Sequence, residues 1–486
     1  MNSLRASSSK SAGTGSIMLL SWLSQDATDH DQDEQDEASV ALLPKISDDK
    51  LPRGGIFQKN SEDDIGSLAI ESKKLPCYFI KNLDQTNIAN AYVSGMKEAL
   101  SMTSNEINLI DVAWTTGYVL GQLPSQFILT KVRPSVWIPS CEVVWTLLTF
   151  SLAGATTTRQ VIGIRFFVGL VESIFYPAAH FLIGSWYNPS ELGKRACVFH
   201  APAVAAGMFS GYLQAAVYQG LDGVLGKTGW RWLFVMDALI SLPICLAGFY
   251  MIPDLPENTV AFYLTEEDAK LARRRMNAVG RAPRKTLGWS ILGRVFTRWH
   301  VYSLTLLYII FINTSPSSSV NPFALWLKDQ GYPVSQINTI PTGAGAIQLV
   351  TTIFFAMLSD FLRDRPLVMS LSTSIGFFSA LCLAIWNIPN GLKWLAFFIH
   401  KAAVPFGPLR AVVLRVMNAS GYAVNAWLPL LTYPVVDAPR FRRGFTYSTL
   451  AFLAQFGVTG LVTFLRRRDK KNGKGDEEME DMGACE

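Results

Sequence analysis

The chain has 486 residues, of which 49% are hydrophobic, 12% aromatic and 17% charged, with a net charge of +5. Soluble domains carry about a quarter charged residues, so the composition excludes an ordinary soluble globule and indicates a membrane protein. The six cysteines show neither metal-ligand spacing nor an external pair, and the positive balance sits in loops, so zinc sites, disulfides and nucleic-acid binding are not implied.

Residues 1–75 are rich in Ser, Asp and Glu, with the run DHDQDEQDE at 29–37, and read as a disordered cytosolic tail. The patch IMLLSWL at 17–23 is too short to span a bilayer and lacks a small-residue cleavage site. The first span, KLPCYFIKNLDQTNIANAYV (74–93), is polar, with Lys81 and Asp84 in its middle. Apolar runs of the length that crosses a bilayer, about 20 residues, follow. They lie near 108–129, 135–154, 161–183, 197–219, 232–252, 301–325, 340–358, 367–387, 392–409, 416–434 and 445–465. With the first, they make twelve.

A polar, basic stretch over 253–300 divides them, and within it LTEEDAKLARRRM (264–276) reads as a surface helix with Thr265 as N-cap. The expected fold is an all-α membrane protein with an N-terminal half over 76–252, a cytosolic loop over 253–300, a C-terminal half over 301–466 and a cytosolic tail over 467–486. Lys131, Arg133, Lys194, Arg195, the stretch from Lys270 to Arg298, Arg363, Arg365 and the run from Arg466 fall on alternate connections, which places both termini in the cytosol. Arg440, Arg442 and Arg443 run against this rule.

Ionisable side chains within spans are expensive and usually face an interior cavity and a partner. Arg165 and Glu172, in RFFVGLVESIFYP (165–177), are seven apart, so they share a helix face without reaching each other. Asp84 is the candidate partner for Arg165. Two readings stand: a structural charge network, or Arg165 holding an anion while Asp84 or Glu172 carries a coupling proton. Glu142 is a further candidate, and Asn418 and Asn425 can present amides to a cavity or bond between helices. Asp111 and Asp237 read as solvated helix ends, and Trp186 and Tyr187 as an interfacial belt. His180, His200 and Lys401 can line a cavity or snorkel to an interface. Gly117 with Gly121, and Gly207 with Gly211, form small-residue faces for close helix packing. GVLGKT (223–228) lacks the first glycine of a phosphate loop, since position 221 is Leu221, so ATP hydrolysis is unsupported.

The stretches NLDQTNIANAYVSGMKEAL (82–100), GYVLGQLPSQFILTKVRPSVWIPSCEVVW (117–145), RFFVGLVESIFYP (165–177), GSWYNPSELGKR (184–195), PDLPENTVAFYLTEED (253–268), PTGAGAIQLVTT (341–352) and MNASGYAVNAWLPLLTYPVVDAPRFRRGF (417–445) carry a family resemblance. Over residues 76–466 the chain resembles the fungal allantoate and pantothenate permeases, in the anion:cation symporter branch of the major facilitator superfamily. The resemblance implies about twelve helices in two six-helix halves with a substrate site between them at the midplane. It implies proton-driven uptake of a small organic carboxylate such as pantothenate across the plasma membrane, with no enzymatic activity. The proton gradient then stands in place of a cofactor, no metal is needed, and the working unit is a monomer in the bilayer.

By the same resemblance Asp84 matches the acid of the first helix, Gln85 stands where many relatives carry arginine, and Arg165 and Glu172 match the fourth-helix pattern. SDFLRDRP (359–366) is similar to the superfamily's gating loop, which implies a latch role for Asp360, Arg363 and Arg365. Beside the family that the chain resembles, the first helix and the connection GPLRAVVLRVMNASG (407–421) read as short, through real shortening or through errors in the predicted gene. Export of a fungal secondary metabolite, or a receptor or transport-dead role, therefore stand beside import.

Overall fold

In the computed structural model the described residues are 75–471, apart from 104, 187–188, 257, 260, 265, 279–298, 316–318, 363–364 and 403–410. The N-terminal tail, Thr265, Arg363 and Arg410 thus lie outside them, as do the side chains of His180, His200, Asp360, Arg365 and Arg415.

In the first half, α1 spans Leu75–Ala91, α2 Glu106–Lys131, α3 Pro134–Ser151, α4 Thr158–Glu172, α5 Phe175–Trp186, α6 Pro189–Leu221 and α7 Gly229–Met251. A polar helix, α8 (Glu266–Ala278), follows. The second half holds α9 (Trp299–Ile312), the short α10 (Pro322–Asp329) and α11 (Val334–Thr339), then α12 (Thr342–Leu362), α13 (Arg365–Ile385), α14 (Asn390–His400), α15 (Ala411–Asn425), α16 (Leu428–Thr432) and α17 (Arg442–Lys471). Among the described residues six helical stretches are long and apolar enough to cross a membrane: Pro134–Gly154, Thr158–Ala179 (across α4 and α5), Gly229–Met251, Val334–Ser359 (across α11 and α12), Pro366–Ile385 and Arg442–Leu465. Their outward faces carry exposed apolar side chains such as Leu147, Phe167, Leu239, Phe354, Leu371 and Leu453, the surface a bilayer accepts.

Expected spans are interrupted in several places, among them the run at 416–434, which breaks between Asn425 and Leu428. The run at 161–183 breaks between Glu172 and Phe175, because Pro177 has no N–H for the Ser173 carbonyl and its ring crowds that turn. The run at 301–325 stops at Ile312, where Asn313 and Thr314 turn their side chains back onto the carbonyls of Ile309 and Phe311. At its other end α4 is opened by a capping box, with Thr157 and Gln160 satisfying each other's backbone N–H groups.

An apolar side chain gains little by leaving lipid for protein, so close backbone approach and polar links decide how such helices pair. Within the first half α2 lies against α4, α1 against α6 and α3 against α7. A side chain added at Gly117 would strike the Phe166 carbonyl, one at Gly121 the Leu170 carbonyl, and one at Gly169 the Trp114 carbonyl. The halves meet where α6 packs on α11 and α12, and where α2 packs on α15. There Gly211 leaves room only for the Asn338 carbonyl and the Thr342 methyl.

At the end of the bundle where α1 starts and α7 ends, Asp254 accepts from the Ser135 N–H at the start of α3 (3.0 Å), and its carbonyl accepts from the Trp186 indole (3.1 Å). Trp186 is therefore buried against the segment after α7 rather than part of an interfacial belt.

Candidate functional site

Lys81, Asp84 and Gln85 recur at the three- and four-residue spacing that puts them on one face of α1. Arg165 and Glu172 share the facing side of α4, and the two faces cross-pair. Lys81 Nζ stands 3.2 Å from Glu172 Oε1, and Arg165 Nη1 stands 3.6 Å from Asp84 Oδ1. All four side chains are buried.

The two pairs differ in quality. Glu172 accepts from Gln85 Nε2 at 2.7 Å and from the Trp114 indole at 2.8 Å besides the Lys81 contact, so both its oxygens are met. Asp84 accepts from Thr149 Oγ1 at 3.0 Å, but its Oδ2 and the Nε and Nη1 of Arg165 have no hydrogen-bond partner. A buried ion pair recovers its desolvation cost only when the remaining lone pairs and protons are satisfied. By that test Glu172 is seated and the Arg165–Asp84 pair is left unsatisfied. Glu172 also occupies the last turn of α4, at the break before Phe175.

An aromatic ladder carries this cluster to the second half. Trp114 stacks on Tyr118 with centroids 5.1 Å apart, and Tyr118 meets Tyr422 of α15 at 5.0 Å. Lys81 Nζ lies 5.8 Å from the centre of the Tyr118 ring, within cation–π reach. On α15, Asn418 accepts from the Tyr308 hydroxyl (3.1 Å) and Asn425 donates to Asn313 (3.2 Å). These amides bond helices of the second half to each other.

Asp84, Gln85, Arg165 and Glu172 thus come together in one cluster, whereas Glu142 does not join it. Glu142 is 1% exposed at the contact of α3 with α7, beside Gly248 and facing the Cys77 thiol. Asp111 and Asp237 are 3% and 2% exposed, so the reading of both as solvated ends is corrected. Helix position alone had suggested water there, but both face protein, and Asp111 accepts from Ser319 of the other half at 2.8 Å. Lys81, Trp114, Tyr118 and Tyr422 belong to the cluster although sequence reasoning did not place them in it. Lys81 carried a signal as a cation mid-span, while the aromatics looked like any others on an apolar helix.

At the opposite end of the bundle, where α1 ends and α2 starts, the halves are sealed. Lys328 pairs with Glu98 at 2.8 Å, Asn338 donates to Ser94 at 3.0 Å, and Asn108 donates to the Tyr433 carbonyl at 2.9 Å. Beneath these links one buried apolar cluster runs through both halves, joining Ile88, Tyr92 and Met96 to Val320, Phe323 and Trp326. Phe323 stacks on Phe397 at 4.9 Å. A site between two halves closed at one end is the arrangement that alternating access requires.

A family model for the Major Facilitator Superfamily matches residues 75–461. The MFS transporter PfmaC of Pestalotiopsis fici is 34% identical over 421 residues, covering 82% of this chain and 79% of that protein. The pantothenate transporter liz1 of Schizosaccharomyces pombe is 33% identical over 427 residues, covering 83% and 82%. Among solved structures, a D-xylose-proton symporter superposes with a TM-score of 0.60 at 14% identity, covering 81% of this chain and 97% of that one.

Proposed function

The chain belongs to the major facilitator superfamily, and on that premise we propose that it is a proton-coupled importer of a small organic carboxylate, with pantothenate as the first candidate. The observation that carries this reading is the buried Glu172, held by Lys81, Gln85 and Trp114 at a helix break and joined through Tyr118 to Tyr422 across the halves. An acid in that position can exchange a proton in one state of the transporter and change its contacts in the other. Similarity to a pantothenate transporter supports a carboxylate substrate.

In this reading the chain sits in the allantoate and pantothenate permease branch and works in the plasma membrane as a monomer, with both termini in the cytosol and the proton gradient as its energy source. The sealed end then faces outward. The Asp84–Arg165 pair tunes the cluster, and Asp360, Arg363 and Arg365 latch the inner end. The polar stretch over 253–300 separates the transporting halves.

The test is uptake of labelled pantothenate by permease-deficient yeast expressing the chain, at acid and at neutral pH. Acid-stimulated accumulation that a protonophore collapses is the expected result. No uptake from protein shown to reach the plasma membrane would reject the reading.

A further inference from the structure

Arg165 is the cation that spacing singled out for an anionic substrate, yet Lys81 is better placed to meet one. The Arg165 side chain is 1% exposed and wedged against Asp84 within the first half, whereas Lys81 is 8% exposed and stands over Tyr118, the ring that touches Tyr422. Lys81 has three N–H donors, and Glu172 is the one carboxylate paired with it among the described residues. Glu172, by contrast, keeps Gln85 and Trp114 if Lys81 leaves.

We propose that Lys81 is the group that receives the substrate carboxylate, and that Glu172 releases it on taking the coupling proton. The inference rests on the carboxylate-import reading and names the residue that does the binding.

Charge balance explains why proton and anion travel together. In the empty site the Lys81 ammonium and the Glu172 carboxylate neutralise each other. With both a proton and a substrate bound, Glu172 is neutral and Lys81 faces the substrate carboxylate, so the site is again neutral. A proton alone leaves Lys81 unpaired inside the membrane, and an anion alone leaves one carboxylate in excess. Both half-loaded states carry the cost of an uncompensated buried charge. No proton leaves Lys81 at any step: the proton adds to a Glu172 oxygen, and the ammonium changes partners. The Tyr118 face offers the ammonium a contact during the exchange. By linkage, the factor by which the proton raises anion affinity equals the factor by which the anion raises proton affinity.

Several titratable groups surround Glu172: Lys81, Asp84 and Tyr78 on α1, Tyr118 on α2 and Tyr422 on α15, with Arg165 beyond Asp84. Lys81 is the cation in contact with it.

The test is equilibrium binding to the purified full chain in lipid nanodiscs, using labelled pantothenate and its neutral alcohol analogue, panthenol, at acid and neutral pH. The wild type should bind pantothenate more tightly at acid pH, with proton uptake, and panthenol weakly at either. Lys81→Met should weaken pantothenate binding at least tenfold, to the level of panthenol, and abolish the pH dependence, while Lys81→Arg keeps both in part. Glu172→Gln retains Lys81 and mimics the protonated site, so it should bind pantothenate tightly at both pH values. Unchanged pantothenate affinity in Lys81→Met, or weakened binding in Glu172→Gln, would overturn the assignment while leaving carboxylate import intact. A wild type that binds neither pantothenate nor any competing carboxylate would overturn the import reading itself.

Discussion

Trp114 donates its indole N–H to Glu172 at 2.8 Å while its own backbone carbonyl lies against Gly169. The donor reaches the acid because two helices approach closely enough to leave no room for a side chain between them. Gly169→Val should therefore force α2 from α4, lengthen the Trp114–Glu172 contact and cost about 1–3 kcal/mol of stability, the usual price of overpacking. Gly163→Ala on the same helix, where an added Cβ meets nothing within 4 Å, should leave stability unchanged or slightly raised. Thermal unfolding of the purified proteins in one detergent checks both, and equal behaviour of the two variants would count against the close-approach account.

Asp84 and Arg165 should behave as a unit. Asp84→Asn removes the carboxylate paired with a fully buried guanidinium and is expected to cost about 3–5 kcal/mol, as removal of one partner from a buried pair does. Arg165→Gln should cost a comparable amount, and the double variant less than the sum of the two. The double-mutant cycle in thermal unfolding is the measurement, and strict additivity would mean that the pair is not coupled.

The link between Glu98 and Lys328 should respond to pH on the sealed face. Partial burial pushes the Glu98 carboxyl up, but the Lys328 hydrogen bond and the charges of Lys328 and Lys97 outweigh it and hold the group below its ordinary value. A carboxylate lowered in this way contributes fully above the ordinary value of about 4.3. That contribution is lost as pH falls through the lowered one. The pair is exposed, so it is worth at most about 1 kcal/mol, or roughly fivefold in an equilibrium. Glu98→Gln should thus speed labelling of Val320→Cys by an impermeant thiol reagent up to about fivefold at neutral pH. At a pH below the Glu98 value, variant and wild type should label alike. A difference that persists there would contradict an electrostatic latch.

The six spans that recur as long apolar stretches were legible because apolar length is written directly in the sequence, and Arg165 and Glu172 could be set on one face because seven residues make two helical turns. What spacing within one helix does not carry is which helix stands opposite. Lys81 was visible as a cation in a span, but its pairing with Glu172 depends on the tertiary approach of α1 to α4. Asp111 and Asp237 were misread for the same reason, since height along a helix does not say whether water or protein lies beside it. Trp114, Tyr118 and Tyr422 gave no signal at all: an aromatic side chain suits a lipid face and a buried ladder equally well. The break after Glu172 was written at Pro177, inside a run whose hydropathy alone suggested continuity.

The central claim, that Glu172 carries the coupling proton, is tested most directly in sealed vesicles containing the purified chain under an imposed inward proton gradient. The wild type should accumulate labelled pantothenate above its external concentration, whereas Glu172→Gln should exchange internal for external pantothenate yet accumulate none. Gradient-driven accumulation by Glu172→Gln at the wild-type level would contradict the account and place the coupling proton elsewhere.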